Sequence, residues 1–341
     1  MLPTTPSIPV IDVAALRNPS APLDAILSVA AEIDRACRKH GFFLIVNHGV
    51  DLALAASLDK TARELFALPE ATKELVAMKH GGSAWRGWFP LHGELTSGIP
   101  DQKEGYYFGS DLPADHPKVL AKTPLHGKNI FPQEPAAFGG IVTEWIAQVA
   151  ALGHDLMRGL ALGLGMDQDW FAKNLTADPT LLFRIFRYPP TTAEGWGVGE
   201  HTDYGILTML WQDSCGGLQV FTEDKWVEVE PVPNAFVCNI GDMLEKLTGG
   251  RYLSTPHRVR NASGRERLSF PLFFDPSWDV TVPSLPLEGS APPARNRWDG
   301  KDVLAWSGTY GSYLTAKVAK CFPELFSVVG EGATAPRSGM Y

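Results

Sequence analysis

The chain reads as an α+β protein in which helices come first and an antiparallel barrel or sandwich follows. Two observations predict this. Up to residue 166, apolar residues mostly recur at helical spacing, as in "PLDAILSVAAEIDRACRKHG" (22–41) and "PAAFGGIVTEWIAQVAALGHDLMRGLALGLGM" (135–166). From residue 181 the pattern changes to short β runs separated by turn signals: "LLFRIFRYPP", "GILTMLWQD", "GGLQVF", "KWVEVEPV", "AFVCNIGDMLEKL", "HRVRN" and "RLSFPLFFDP". No Ser- or Pro-rich linker divides the 341 residues, so residues 1–341 are expected to form a single unit.

In order along the chain, "IPVIDV" (8–13) predicts a short strand. The helix that follows stops at Gly41, and "FFLIVNHGV" (42–50) is a continuous apolar run that predicts a buried strand. "LALAASLDKTARELFALP" (52–69) predicts a second amphipathic helix and "PEATKELVA" a short third. Residues 80–135 are rich in Gly, Pro and aromatics and predict short strands and loops, with 80–110 covering the barrel mouth. Core packing is expected for Tyr107, whereas for Trp85 and Trp88 lid and core remain open. "DSCGG" (213–217) predicts a hairpin turn, and "VLAWSGTYGSYLTAKVAKCF" closes with a helix. The tail "VVGEGATAPRSGMY" lacks periodicity.

Composition narrows the function. A net charge of −8 argues against binding nucleic acid by phosphate neutralisation. It suits a dispersed cytoplasmic protein. The four cysteines, Cys37, Cys215, Cys238 and Cys321, form no C-x-x-C pair, so neither a disulfide framework nor a zinc–thiolate site is expected. The N-terminus has no basic flank or apolar run of a leader, and no segment has the apolar length of a membrane span.

Chemistry enters at "GEHTDYGILTMLWQD", where His201 and Asp203 stand two apart. On a strand, i and i+2 share a face, so both would reach one point. His257 in "STPHRVRN" offers a third ligand. Two histidines and one carboxylate with open positions form the ligand set of non-haem Fe(II) oxygenases, whereas zinc more often recruits cysteine or a third histidine. The other seven histidines lie outside the barrel segments that begin at residue 181 and read as solvated or satisfied. In "RLSFPLFF", Arg267, Ser269 and Phe273 share a face, and an inward arginine calls for an anion. Counting back from Tyr188, Phe186 and Arg184 share its face. An inward Arg184 could pair with an anionic or carbonyl-bearing substrate or with a barrel carboxylate. Arg184, Tyr204 and Phe273 are expected to line the substrate pocket.

H-x-D, a distant His and R-x-S together resemble the 2-oxoglutarate- and Fe(II)-dependent oxygenases, and within them the isopenicillin-N-synthase-like branch. "IPVIDV", "HGFFLIVNHGV", "ARELFALPEATKE", "RYPP", "HTDYGILTML", "GGLQV", "NIGDML" and "STPHRV" extend the resemblance over nearly the whole chain. The resemblance implies a double-stranded β-helix, or jelly roll, with N-terminal and flanking helices. It divides the chain into an N-terminal region at 8–120, a jelly-roll core at 180–280 and a C-terminal extension at 281–341. It implies His201, Asp203 and His257 as Fe(II) ligands, and Arg267, Ser269 and Tyr188 as holders of the far carboxylate of 2-oxoglutarate. It further implies O2 as co-reactant and a reaction in which oxidative decarboxylation to succinate and CO2 would drive hydroxylation or a related C–H oxidation. Phe186 departs from the pattern, standing where many members carry Asn. Some relatives in the branch use iron without 2-oxoglutarate, so an iron oxidase or cyclase is the alternative. A zinc hydrolase would need a carboxylate base, and Glu200 should project to the opposite face. A small-molecule substrate and a monomer are expected, with no nucleic-acid or membrane partner.

Overall fold

The computed structural model describes residues 8–96, 98–190, 195–285, 299–300 and 302–323. Twelve strands are present among them: β1 (Val10–Asp12), β2 (Phe42–Val46), β3 (Gly87–Phe89), β4 (Glu104–Gly109), β5 (Pro179–Tyr188), β6 (Val198–His201), β7 (Leu207–Gln212), β8 (Leu218–Thr222), β9 (Lys225–Glu228), β10 (Phe236–Ile240), β11 (His257–Val259) and β12 (Arg267–Ser277). They form two sheets. The major one runs β1-β2-β10-β7-β12-β5-β4-β3 and the minor one β6-β11-β8-β9. All pairings within them are antiparallel except β1 with β2. The expected jelly roll is the observed architecture.

The major sheet is buried on both faces, so β12 and β10 are buried nearly end to end rather than at alternate residues. Its inner face lines the central cavity. Its outer face carries Met209 and Phe274 against the long helix Phe138–Gly163. Contact is close there: a Cβ on Gly153 would lie 2.5 Å from the Phe274 ring. That helix in turn packs on Leu23–Lys39 and Leu52–Phe66, the two predicted N-terminal helices.

Three local expectations are corrected. "DSCGG" does not make a hairpin: β7 and β8 belong to different sheets, and Gly216 and Gly217 (φ +74° and +88°) turn the chain from one to the other. "AFVCNIGDMLEKL" is β only to Ile240 and continues as the helix Asp242–Leu247, because Gly241 allows a sharp entry against the Gly205 backbone. The run 42–50 is a strand only to Val46, after which Asn47 takes a left-handed conformation. Trp85 and Trp88 are both core, and Tyr107 is buried as expected. From the segment 80–110, Glu94, Thr96 and Lys103 line the cavity. The C-terminal helix is Tyr310–Cys321, and the tail beyond Pro323 lies outside the described residues.

Candidate metal centre and its cavity

His201 ends β6 and His257 opens β11, and the two stand directly opposite each other in the antiparallel pair. Asp203 is not on the strand. It lies in the turn after β6, so convergence comes from that turn and not from a shared strand face. The backbone N–H of Asp242, at the start of its helix, donates to the Asp203 carbonyl at 2.8 Å and braces the turn. The Asp203 Oδ1 lies 3.9 Å from His201 Nε2 and 3.8 Å from His257 Nε2. Both spans are within two metal–ligand bonds of about 2.1 Å. Among the described residues this is the one cluster of three such groups within 4.8 Å.

Each ligand atom is left free by a defined hydrogen bond elsewhere. The Nδ1 of His201 lies 2.8 Å from the Gly199 carbonyl, and that of His257 3.1 Å from the Thr255 carbonyl. A carbonyl only accepts, so Nδ1 carries the proton and Nε2 presents its lone pair. Asp203 Oδ2 accepts from Asn239 Nδ2 at 2.6 Å and from the Thr208 hydroxyl, leaving Oδ1 for a metal. Asn239 and Thr208 are themselves paired across β10 and β7. Burial, reinforced by neighbouring His257, holds the His201 imidazole well below its usual range, at about 3. Burial alone would raise Asp203, but the two imidazoles and its two donors outweigh it and the carboxyl is lowered. The Phe42 ring meets His257 edge-on at 5.2 Å. Replacing Asn239 by alanine is expected to weaken iron affinity about 10–100-fold, as loss of an outer-shell partner does. Anaerobic Fe(II) titration of the two proteins measures it.

Arg267 and Ser269 face the same cavity, with Tyr188 beside them; Arg267 is paired with Tyr188 across β12 and β5. Arg267 is 1% exposed. Its Nε donates to the Gly216 carbonyl at 2.7 Å and its Nη2 to Gln212 at 2.9 Å. Its Nη1 is buried with no partner among the described residues. The Tyr188 ring stacks 4.8 Å from the guanidinium, and the Tyr188 and Ser269 hydroxyls are 3.5 Å apart. A buried guanidinium with an idle donor is costly unless an anion meets it.

Farther along the same strand faces come Phe186, Phe273, Arg184 and Asp275, and Tyr204 closes the wall. Arg184 points inward as expected. It lies between Tyr107 (4.0 Å) and Phe273 (5.0 Å), and its Nε has no partner among the described residues. Its carboxylate neighbour is not on the barrel: Glu94, from the loop before β4, sits 3.5 Å away and also takes Lys103 at 2.9 Å and the Tyr107 hydroxyl. Leu314 and Cys321 of the C-terminal helix complete the lining. Sequence reasoning missed Asn239, Thr208, Gln212, Glu94 and Asp275. The available signal was a polar residue inside an otherwise apolar strand, as in "FVCNI" and "LTMLWQ".

Known proteins match this arrangement. Residues 8–134 match the family described as non-haem dioxygenase in morphine synthesis N-terminal, and residues 179–276 match the 2OG-Fe(II) oxygenase superfamily. A probable iron/ascorbate oxidoreductase from Dictyostelium discoideum is 41% identical, over 94% of this chain and 96% of its own. A 1-aminocyclopropane-1-carboxylate oxidase from Dictyostelium mucoroides is 33% identical over 93% and 95%. The solved structure of a 2OG-Fe(II) oxygenase family protein from Caulobacter crescentus superposes with a TM-score of 0.77 at 27% identity, covering 93% of this chain and 99% of that one. No described helix is long and apolar enough to cross a membrane. With its jelly roll and His-Asp-His cluster, the chain belongs to the 2OG-Fe(II) oxygenase superfamily, as an oxidoreductase of the 2-oxoglutarate-dependent dioxygenase type that acts on small molecules with Fe(II), 2-oxoglutarate and O2.

Proposed function

We propose that the whole chain acts as one catalytic unit that couples decarboxylation of 2-oxoglutarate, to succinate and CO2, to hydroxylation or a related C–H oxidation of a small organic molecule. In this reading His201, His257 and Asp203 hold Fe(II), and Arg267, Ser269 and Tyr188 hold the far carboxylate of 2-oxoglutarate. The observation that carries it is the idle, buried Nη1 of Arg267 in the same cavity as the three metal-ligand atoms. When bound, the iron and its cosubstrate supply the oxidising power. The chain's own work is positional. Gln212 and the Gly216 carbonyl fix the guanidinium plane, and Asn239 and Thr208 fix the carboxylate.

Arg184, Tyr204 and Phe273 bind the substrate in this reading, with Arg184 meeting an anionic or carbonyl group. Arg184→Ala is expected to raise substrate KM by about 30-fold or more, as loss of one partner of a buried charge pair does, and to uncouple succinate release from product. An unchanged KM and ratio would exclude the role. The second reading is an iron oxidase or cyclase of the same branch that does not consume 2-oxoglutarate, and one relative of this chain is named as an oxidase, of 1-aminocyclopropane-1-carboxylate. Succinate assay separates them: one succinate per substrate oxidised supports the first, and substrate oxidation without succinate supports the second. A monomeric cytoplasmic enzyme without a nucleic-acid partner belongs to the same proposal, in keeping with the net charge of −8. Sedimentation and cell fractionation test it.

A further inference from the structure

The far end of the cavity holds an acid that the chemistry above leaves unused. Asp275 follows Arg267, Ser269, Pro271 and Phe273 on the inner face of β12 and lines the cavity while only 3% exposed. Its Oδ1 accepts from the Ile206 N–H at 3.3 Å and its Oδ2 from the Tyr310 hydroxyl, both neutral donors. The approach to the Ile206 turn is close: a Cβ at Gly205 would lie 1.5 Å from Oδ1, so only glycine leaves room.

Outside the metal cluster, the charges on this side of the cavity do not balance. Glu94 and Asp101 face Lys103 and Arg184, two acids against two bases. Asp275 is then left over, and among the described residues no lysine, arginine or histidine forms an ion pair with it. Arg184 is near enough to be felt but lies against Glu94. Burial, with the Asp203 carboxylate adding to it, pushes the Asp275 carboxyl up to about 7 against the Tyr310 and Ile206 hydrogen bonds. At the opposite end of β12, Arg267 is the mirror case, a buried charge whose counter-charge comes with the cosubstrate. An uncompensated buried acid in a ligand cavity is completed most strongly by a cationic donor.

We propose that Asp275 receives a protonated nitrogen of the substrate, so that the substrate is a small organic cation or zwitterion such as an amine, a guanidine or an amino acid, oriented with any carboxylate toward Arg184. This rests on the oxygenase reading of the cavity. It adds the sign of charge that the distal wall selects.

The test uses the full chain loaded anaerobically with Fe(II) and 2-oxoglutarate. Four probes on one six-carbon skeleton are titrated by calorimetry: L-lysine, L-norleucine, 6-aminohexanoate and hexanoate. The metal-to-ligand absorption band recorded before any probe is added reports the oxygenase reading by itself, independently of what the probes do. At least one ammonium-bearing probe is expected to bind about tenfold or more tighter than hexanoate, the factor of one charge-assisted contact. In Asp275→Asn that preference should fall to about twofold or less, while Arg184→Ala weakens all four carboxylate-bearing probes. Hexanoate binding as tightly as every ammonium probe overturns the proposal, as does binding by none of them. If Asp275→Asn weakens hexanoate and the ammonium probes by the same factor, the residue only braces the Ile206 turn, and the proposal fails.

Discussion

Asp203→Ala is expected to reduce substrate oxidation to background and to weaken Fe(II) binding by more than the roughly 10–100-fold cost of losing an outer-shell partner. The reason is electrostatic as well as geometric. Asp203 supplies the one anionic ligand of the cluster, facing two imidazoles whose Nδ1 protons are committed to the Gly199 and Thr255 carbonyls. Without it, two neutral nitrogens remain, and the Asn239 amide and Thr208 hydroxyl lose the oxygen they were arranged to meet. Those buried donors each cost about 1–3 kcal/mol when left unpaired, so a lower melting temperature is expected in the metal-free variant as well. Anaerobic iron titration followed by calorimetry of the metal-free protein checks both parts. Wild-type iron affinity in the variant would show that the metal sits elsewhere.

Arg267→Met is expected to raise the KM for 2-oxoglutarate by about 30- to 5,000-fold, corresponding to roughly 2–5 kcal/mol for truncating one partner of a buried, hydrogen-bonded charge pair. Three features of the site set the size of the effect. The guanidinium is buried, its plane is fixed by Gly216 and Gln212, and its remaining donor has no partner among the described residues. Arg267→Lys should fall between wild type and Met, because the charge survives but the planar fork does not. Steady-state kinetics at saturating iron measures it. Equal KM values in all three proteins would remove 2-oxoglutarate from this end of the cavity.

Much of this was legible in the sequence because strand periodicity is rigid. Arg267, Ser269 and Phe273 share a face by counting alone, as do Arg184 and Tyr188, and all five line the cavity. His257 was legible as a third polar ligand opening a β run. The Asp203 reading reached the right place by the wrong route, since the residue sits in a turn shaped by Gly205 and by the helix Asp242–Leu247, contacts that local spacing does not encode. The same limit hid Glu94, brought to Arg184 from a loop 90 residues away, and Asp275, whose environment depends on Tyr310 in the C-terminal helix. The misread "DSCGG" turn has a similar cause. Two glycines with positive φ serve a crossing between sheets as well as a hairpin, and only the sheet partners of β7 and β8 distinguish the two.

The most direct measurement is a crystal structure of the full chain grown anaerobically with Fe(II) and 2-oxoglutarate. One iron should be bound through Nε2 of His201, Nε2 of His257 and Oδ1 of Asp203, with the distal carboxylate of 2-oxoglutarate on Nη1 of Arg267. Iron ligated through other side chains, or a 2-oxoglutarate whose far carboxylate lies away from Arg267, would contradict the account.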